Sequence, residues 1–133
     1  MSVLVLAIGN PQREDDGVAW KIAEALQGDR LDVRQVHQLV PELALDVSRA
    51  EAVLFIDARE GGEPGSVRLA PVVPGPDRTG LTHAVSPRAL LFYAETLFGR
   101  APRAHLLTVA GERFGHGEEL SARVQEAVAA LTS

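Results

Sequence analysis

The run SVLVLAI at positions 2–8, closed by Gly9, constrains the fold more than any other feature of the chain. After Ser2 every residue is aliphatic, so neither side of the segment can face water. A strand covered on both faces accepts such a run. Positions 18, 22, 25 and 26 (Val, Ile, Ala, Leu) then repeat at helical spacing from Asp16 to Leu26, with Gly28 as a stop. This is a strand followed by a crossover helix.

The same alternation continues along the chain. LDVRQVHQL at 31–39 reads as a second strand, Pro41 to about Ser48 as a short helix, and EAVLFIDA at 51–58 as a third strand. SVRLAPVV after the GGEPG turn is a strand that Pro71 confines to a sheet edge or ends early. Ser86 caps and Pro87 opens a helix whose buried stripe is expected to be Leu90, Leu91, Ala94, Leu97 and Phe98. AHLLTVAG at 104–111 is another strand, GERFGHGEEL a polar turn, and Ser121–Leu131 a final helix. The expected architecture is one domain over 1–133: an α/β fold, a three-layer α/β/α sandwich of the phosphorylase/hydrolase-like kind. Its sheet is twisted and mostly parallel, with about five strands and one antiparallel edge strand around residues 66–73.

Composition narrows the function. At 133 residues the chain can bury about two-thirds of its unfolded surface without disulfides, and it has no cysteine. A net charge of -5 with dispersed arginines opposes a nucleic-acid partner. No basic leader opens the chain, and no apolar run approaches the roughly 18 residues of a membrane span, so a cytoplasmic protein with no membrane partner is expected.

In such sheets ligands sit beyond the carboxyl ends of the strands, where strand order reverses. The residues placed there are Asn10, Glu14, Asp15 and Asp16 after the first strand, Asp57, Arg59 and Glu60 after the third, and His83 ahead of the third main helix. One carboxylate of the Asp15–Asp16 pair suits a helix start through the helix dipole. Crowding Glu14 with both costs repulsion that a bound cation would relieve. Two carboxylates and an imidazole from separate segments form an O/O/N set for a borderline divalent ion such as zinc or nickel. Without function, Asp57 is a solvated strand-end residue and His83 a surface histidine. His37 and His105 fall in strand segments, and His116 in a glycine-flanked turn. Gly9 and Gly17 are expected to permit tight backbone turns. Phosphate-binding glycine loops and the Gly-x-Ser-x-Gly elbow are missing.

These blocks resemble the nickel-iron hydrogenase maturation proteases along nearly the whole chain. The family opening of strand, Gly-Asn, four variable residues, two acids and Gly is similar to Gly9-Asn10-PQRE-Asp15-Asp16-Gly17. Its apolar strand ending in Asp before a Pro-Gly turn is similar to VLFIDAREGGEPGSV, and its loop histidine to that of LTHAVSPRALL. The resemblance implies an endopeptidase that removes a C-terminal extension from the hydrogenase large-subunit precursor once nickel is inserted. It implies Asp16, Asp57 and His83 as nickel-sensing ligands, Asp16 and Asp57 as catalytic carboxylates, and Gly9, Asn10, Asp15 and Gly17 as the supporting loop. The divalent metal it implies is the substrate's nickel, for which zinc or cadmium could substitute in vitro. A non-catalytic nickel-binding or hydrogenase-assembly partner on the same fold is the alternative. A peptidyl-tRNA hydrolase shares Gly9-Asn10-Pro11 but expects a histidine where the acidic cluster stands, and a receiver domain expects a lysine after the last strand.

Overall fold

The aliphatic run folds as β1 (Val3–Ile8), central in the sheet and buried from Leu4 onward. A computed structural model describes residues 2–26, 28–77 and 85–133. β2 (Leu31–Val36) and β3 (Ala52–Arg59) pair in parallel with β1 on either side. β5 (Arg103–Ala110) joins β3 in parallel, and β4 (Val67–Pro71) closes the far edge antiparallel to β5. The order β2-β1-β3-β5-β4 is the expected mostly parallel sheet with one antiparallel edge. Pro71, with no N–H to donate, ends that edge strand.

Two helices cover each face. α1 (Val18–Glu24) and α4 (Ala122–Thr132) bury Val18, Ala19, Ile22 and Val124 against Val5, Ala7, Ile56 and Val109. α2 (Ala44–Arg49) and α3 (Pro87–Phe98) bury Val47, Leu90, Leu91 and Ala94 against Leu4, Leu6, Val53 and Phe55. The period-2 alternation of the strands and the helical period of their covers thus meet in two cores, one per face. Ser86 caps α3 by accepting the Ala89 amide at 3.2 Å, and Gly99, at φ 79°, ends it in the left-handed conformation.

Two expectations change. Leu97 and Phe98 are exposed, not part of the buried stripe, which among the described residues ends at Ala94, one turn before the Gly99 cap. The first helix begins at Val18 because Glu14–Gly17 form a single 3-10 turn, entered through Glu14 at φ 50°. Among the described residues no helix is long and apolar enough to cross a membrane.

Candidate active site

The strand order reverses between β1 and β3, since β1 leads outward to β2 and the chain then returns to β3 on the opposite side. A crevice at that reversal is the ordinary ligand position in such sheets. The chain puts two carboxylates there. Asp16 stands in the 3-10 turn after β1, and its Oδ2 accepts the Asn10 amide at 2.9 Å. Asp57 lies near the carboxyl end of β3, where its Oδ1 accepts the following Ala58 amide at 2.8 Å. Burial pushes the Asp57 carboxyl up, the Ala58 amide pulls it down, and the charge of Asp16 adds to the rise, leaving it at about 7.

The glycines are explained by close approach more than by turns. At Gly9, φ 153°, a Cβ would collide with the carbonyl oxygen of Asp16, so the absence of a side chain lets the acidic turn fold back on the end of β1. Gly17 has an ordinary negative φ of -88°, and a Cβ there would lie 2.7 Å from Pro11 Cα. Both glycines therefore set the position of Asp16. Asn10 closes the loop, its Oδ1 accepting the Gln12 amide at 2.9 Å.

Asp15 has a different task from the helix-start charge expected of it. It is fully buried, at 0% relative exposure, with its carboxylate engaged by the segment after β5. Its Oδ2 accepts the Glu112 and Arg113 amides at 2.7 and 2.9 Å and the Ser121 hydroxyl at 2.8 Å, and its Oδ1 accepts the Ser121 amide at 2.8 Å. Burial alone would raise this carboxyl, but the three amides and the hydroxyl outweigh it and hold the pKa below the ordinary aspartate value. Asp15 is a buried anchor, satisfied by donors and closed to a metal.

The GERFGHGEEL segment is correspondingly more than a polar turn. Glu14 donates its amide to the Gly117 carbonyl at 2.8 Å, Gly117 donates to the Gln12 carbonyl at 2.9 Å, and Asp15 donates to the Arg113 carbonyl at 2.9 Å. Gly115 donates to Glu14 Oε1, and Arg13 Nη2 to the Phe114 carbonyl. The positive φ of Glu14, costing on the order of 1 kcal/mol, is held by these contacts. Backbone amides carry no sequence signature, so this role of Asp15 was not readable from residue types. The helical spacing marks Ser121 only as a helix start.

The remaining candidates divide. His37 follows β2 and meets Trp20 edge-on, with ring centroids 5.2 Å apart, so it packs at the α1–β2 boundary. His105 lies within β5, opposite Pro71 of the edge strand. His83 lies outside the described residues. Among the described residues no three His, Cys, Asp or Glu side chains gather as a metal site. The donor chemistry of Asp16 and Asp57 nonetheless suits a cation, since their mutual repulsion is relieved by one.

A three-layer α/β/α sandwich with paired aspartates at its switch point is the class of protein that fold and crevice define. No protein-family model matches the chain, and no curated sequence matches it. Its fold is that of the hydrogenase maturation proteases. The [NiFe] hydrogenase maturation protease HybD from Thermococcus kodakarensis is 25% identical, with a TM-score of 0.73, covering 99% of this chain and 95% of that one. The hydrogenase maturating endopeptidase HybD from E. coli is 21% identical, with a TM-score of 0.72 over 99% and 88% of the two chains. The hydrogenase 2 maturation peptidase from Thaumarchaeota archaeon SCGC_AB-539-E09 is 22% identical, with a TM-score of 0.71 over 99% and 93%.

Proposed function

We propose that this protein is an endopeptidase that removes a C-terminal extension from the nickel-loaded large-subunit precursor of a nickel-iron hydrogenase. The observation that carries the reading is the meeting of Asp16 and Asp57 at the switch point of a hydrogenase-maturation-protease fold, with Asp57 raised to about 7. Asp16, Asp57 and His83 would receive the substrate's nickel, and the ion would polarise the scissile carbonyl or acidify a water.

The chain's own residues carry the proton chemistry. Asp57, near half-ionised at neutral pH, accepts a proton from the attacking water and returns it to the leaving amine. Its partly buried position next to Asp16 keeps it from being a permanently charged surface carboxylate. Asp16, fixed by the Asn10 amide, orients toward the same crevice and supplies the charge that tunes Asp57.

The pH dependence tests the assignment. Since the basic form of Asp57 is the reactive one, kcat/KM for precursor cleavage is expected to rise with pH to a plateau, with an apparent pKa near 7. In the Asp16→Asn variant any residual activity should have its profile displaced to lower pH. A profile flat between pH 5 and 8 would remove Asp57 from the role of base.

A further inference from the structure

On the flank of the sheet beyond α3, a groove of about 530 Å³ lies between β4, β5 and the start of α3. Ala70, Val72, Val73, Pro87 and Leu106 line it with apolar surface, and Arg88 contributes the one cationic side chain of the lining. That volume falls within the roughly 300–1,000 Å³ of small-ligand sites. The groove shares a face with the catalytic crevice. Thr108 is opposite Asp57 on one side and Arg68 on the other, and Leu106, two residues before Thr108, points to the same side. Two strand spacings, about 10 Å, separate Arg68 from Asp57 in this row.

The ground between groove and crevice is cationic. Arg59 donates from Nη1 to Thr108 Oγ1 at 2.6 Å and from Nη2 to Ser66 Oγ at 2.8 Å, while its buried Nε has no partner among the described residues. Among the described residues none of Arg59, Arg68 and Arg88 forms an ion pair, although the chain carries a net charge of -5. Asp77, at the groove's end, is engaged by the Ser86 amide and hydroxyl. An apolar slot with an unpaired cationic rim complements an apolar and acidic ligand. A second copy of the chain is a poor occupant, because it would bring two such rims together.

We propose that this groove and its arginines hold an extended segment of the protein substrate beside the cleaved bond, one that carries apolar side chains and a neighbouring acidic side chain. The identity of the occupant rests on the endopeptidase reading, and the site's geometry does not. An extended chain advances about 3.3 Å per residue, so three or four residues cover the distance from Asp57 to Arg68.

A fluorescein-labelled octapeptide of alternating Leu and Glu is the probe, with alternating Leu–Lys and Gly–Glu peptides for comparison. Anisotropy should detect binding of the Leu–Glu peptide in preference to both others. Arg68→Glu combined with Arg88→Glu should weaken it at least about tenfold, and Ala70→Trp, which fills the groove from an exposed strand position, should do the same without a change of charge. Variants whose melting temperature stays within a few degrees of wild type are the ones compared. Equal binding of the Leu–Lys peptide, or unchanged affinity in both folded variants, would overturn the proposal. So would a wild-type dimer in sedimentation that the double charge reversal dissolves, since a second copy would then be the occupant. Peptide binding needs no cleavage, so an uncut precursor together with the expected peptide selectivity refutes the endopeptidase and supports the groove. A precursor cut by the double variant with unchanged KM overturns the groove and leaves the endopeptidase standing.

Discussion

Asp57→Asn is expected to make the protein more stable at pH 8 while removing its proteolytic activity. The carboxyl of Asp57 is raised from 3.8 to about 7 in the folded state, so it favours folding fully only below about pH 3.8, and this contribution is lost as pH rises through about 7. At pH 8 the buried charge beside Asp16 opposes the fold. A shift of that size corresponds to at most about 4 kcal/mol, and a realised gain of about 2–3 kcal/mol would raise the melting temperature by roughly 5–10 °C. Asparagine keeps an Oδ1 to accept the Ala58 amide, so the local backbone is preserved. At pH 4, where the native carboxyl is neutral, the two proteins should melt together. An active site that stores unfavourable charge gives this pattern, and thermal melts at the two pH values read it directly. Equal or lower stability of the variant at pH 8 would show that Asp57 is not strained by its surroundings.

Asp15→Asn should do the opposite, lowering the melting temperature by on the order of 10 °C at pH 7. The native carboxylate receives three amides and a hydroxyl, and an asparagine turns one of its oxygens into a donor facing donors. Leaving buried donors unmatched costs roughly 1–3 kcal/mol each. Because the Asp15 pKa is lowered in the folded state, its stabilisation is present above about 3.8 and disappears as pH falls below it, so wild type and variant should converge in acid. Asp16→Asn provides the contrast. It keeps an Oδ1 that can accept the Asn10 amide, the one hydrogen bond the Asp16 side chain makes among the described residues, so its melting temperature should stay close to wild type while cleavage is lost. On the proposed reading, adjacent aspartates divide into a buried anchor, Asp15, and a carboxylate of the crevice, Asp16. A large thermal loss in Asp16→Asn with little in Asp15→Asn would reverse that division.

The layered architecture was legible because its signals are local. The aliphatic run of β1, the apolar centre of β3, the Ser86–Pro87 opening of α3 and the edge position of β4 each follow from residue types over a few positions. Strand order was not readable, since it is decided by how crossovers pack. The architecture alone implies a switch point near the strand ends, and the strand order places it between β1 and β3. The placement of Asp16 and Asp57 together was therefore foreseeable. The burial of Asp15 was not, because its partners are main-chain amides about a hundred residues away. The exposed end of α3 escaped for a related reason: helical spacing marks a possible buried stripe, and the extent of the sheet beneath it decides how much is covered. His83 belongs to a segment outside the described residues, and its role rests on the motif.

The most direct test is the intact mass of a nickel-loaded hydrogenase large-subunit precursor after incubation with this protein, with its Asp16→Asn variant, and with no addition. A single C-terminal peptide lost with the wild-type protein alone is the expected result. A precursor verified to carry nickel and left at full mass by the wild-type protein, or trimmed equally by the variant, would contradict cleavage at the Asp16–Asp57 crevice.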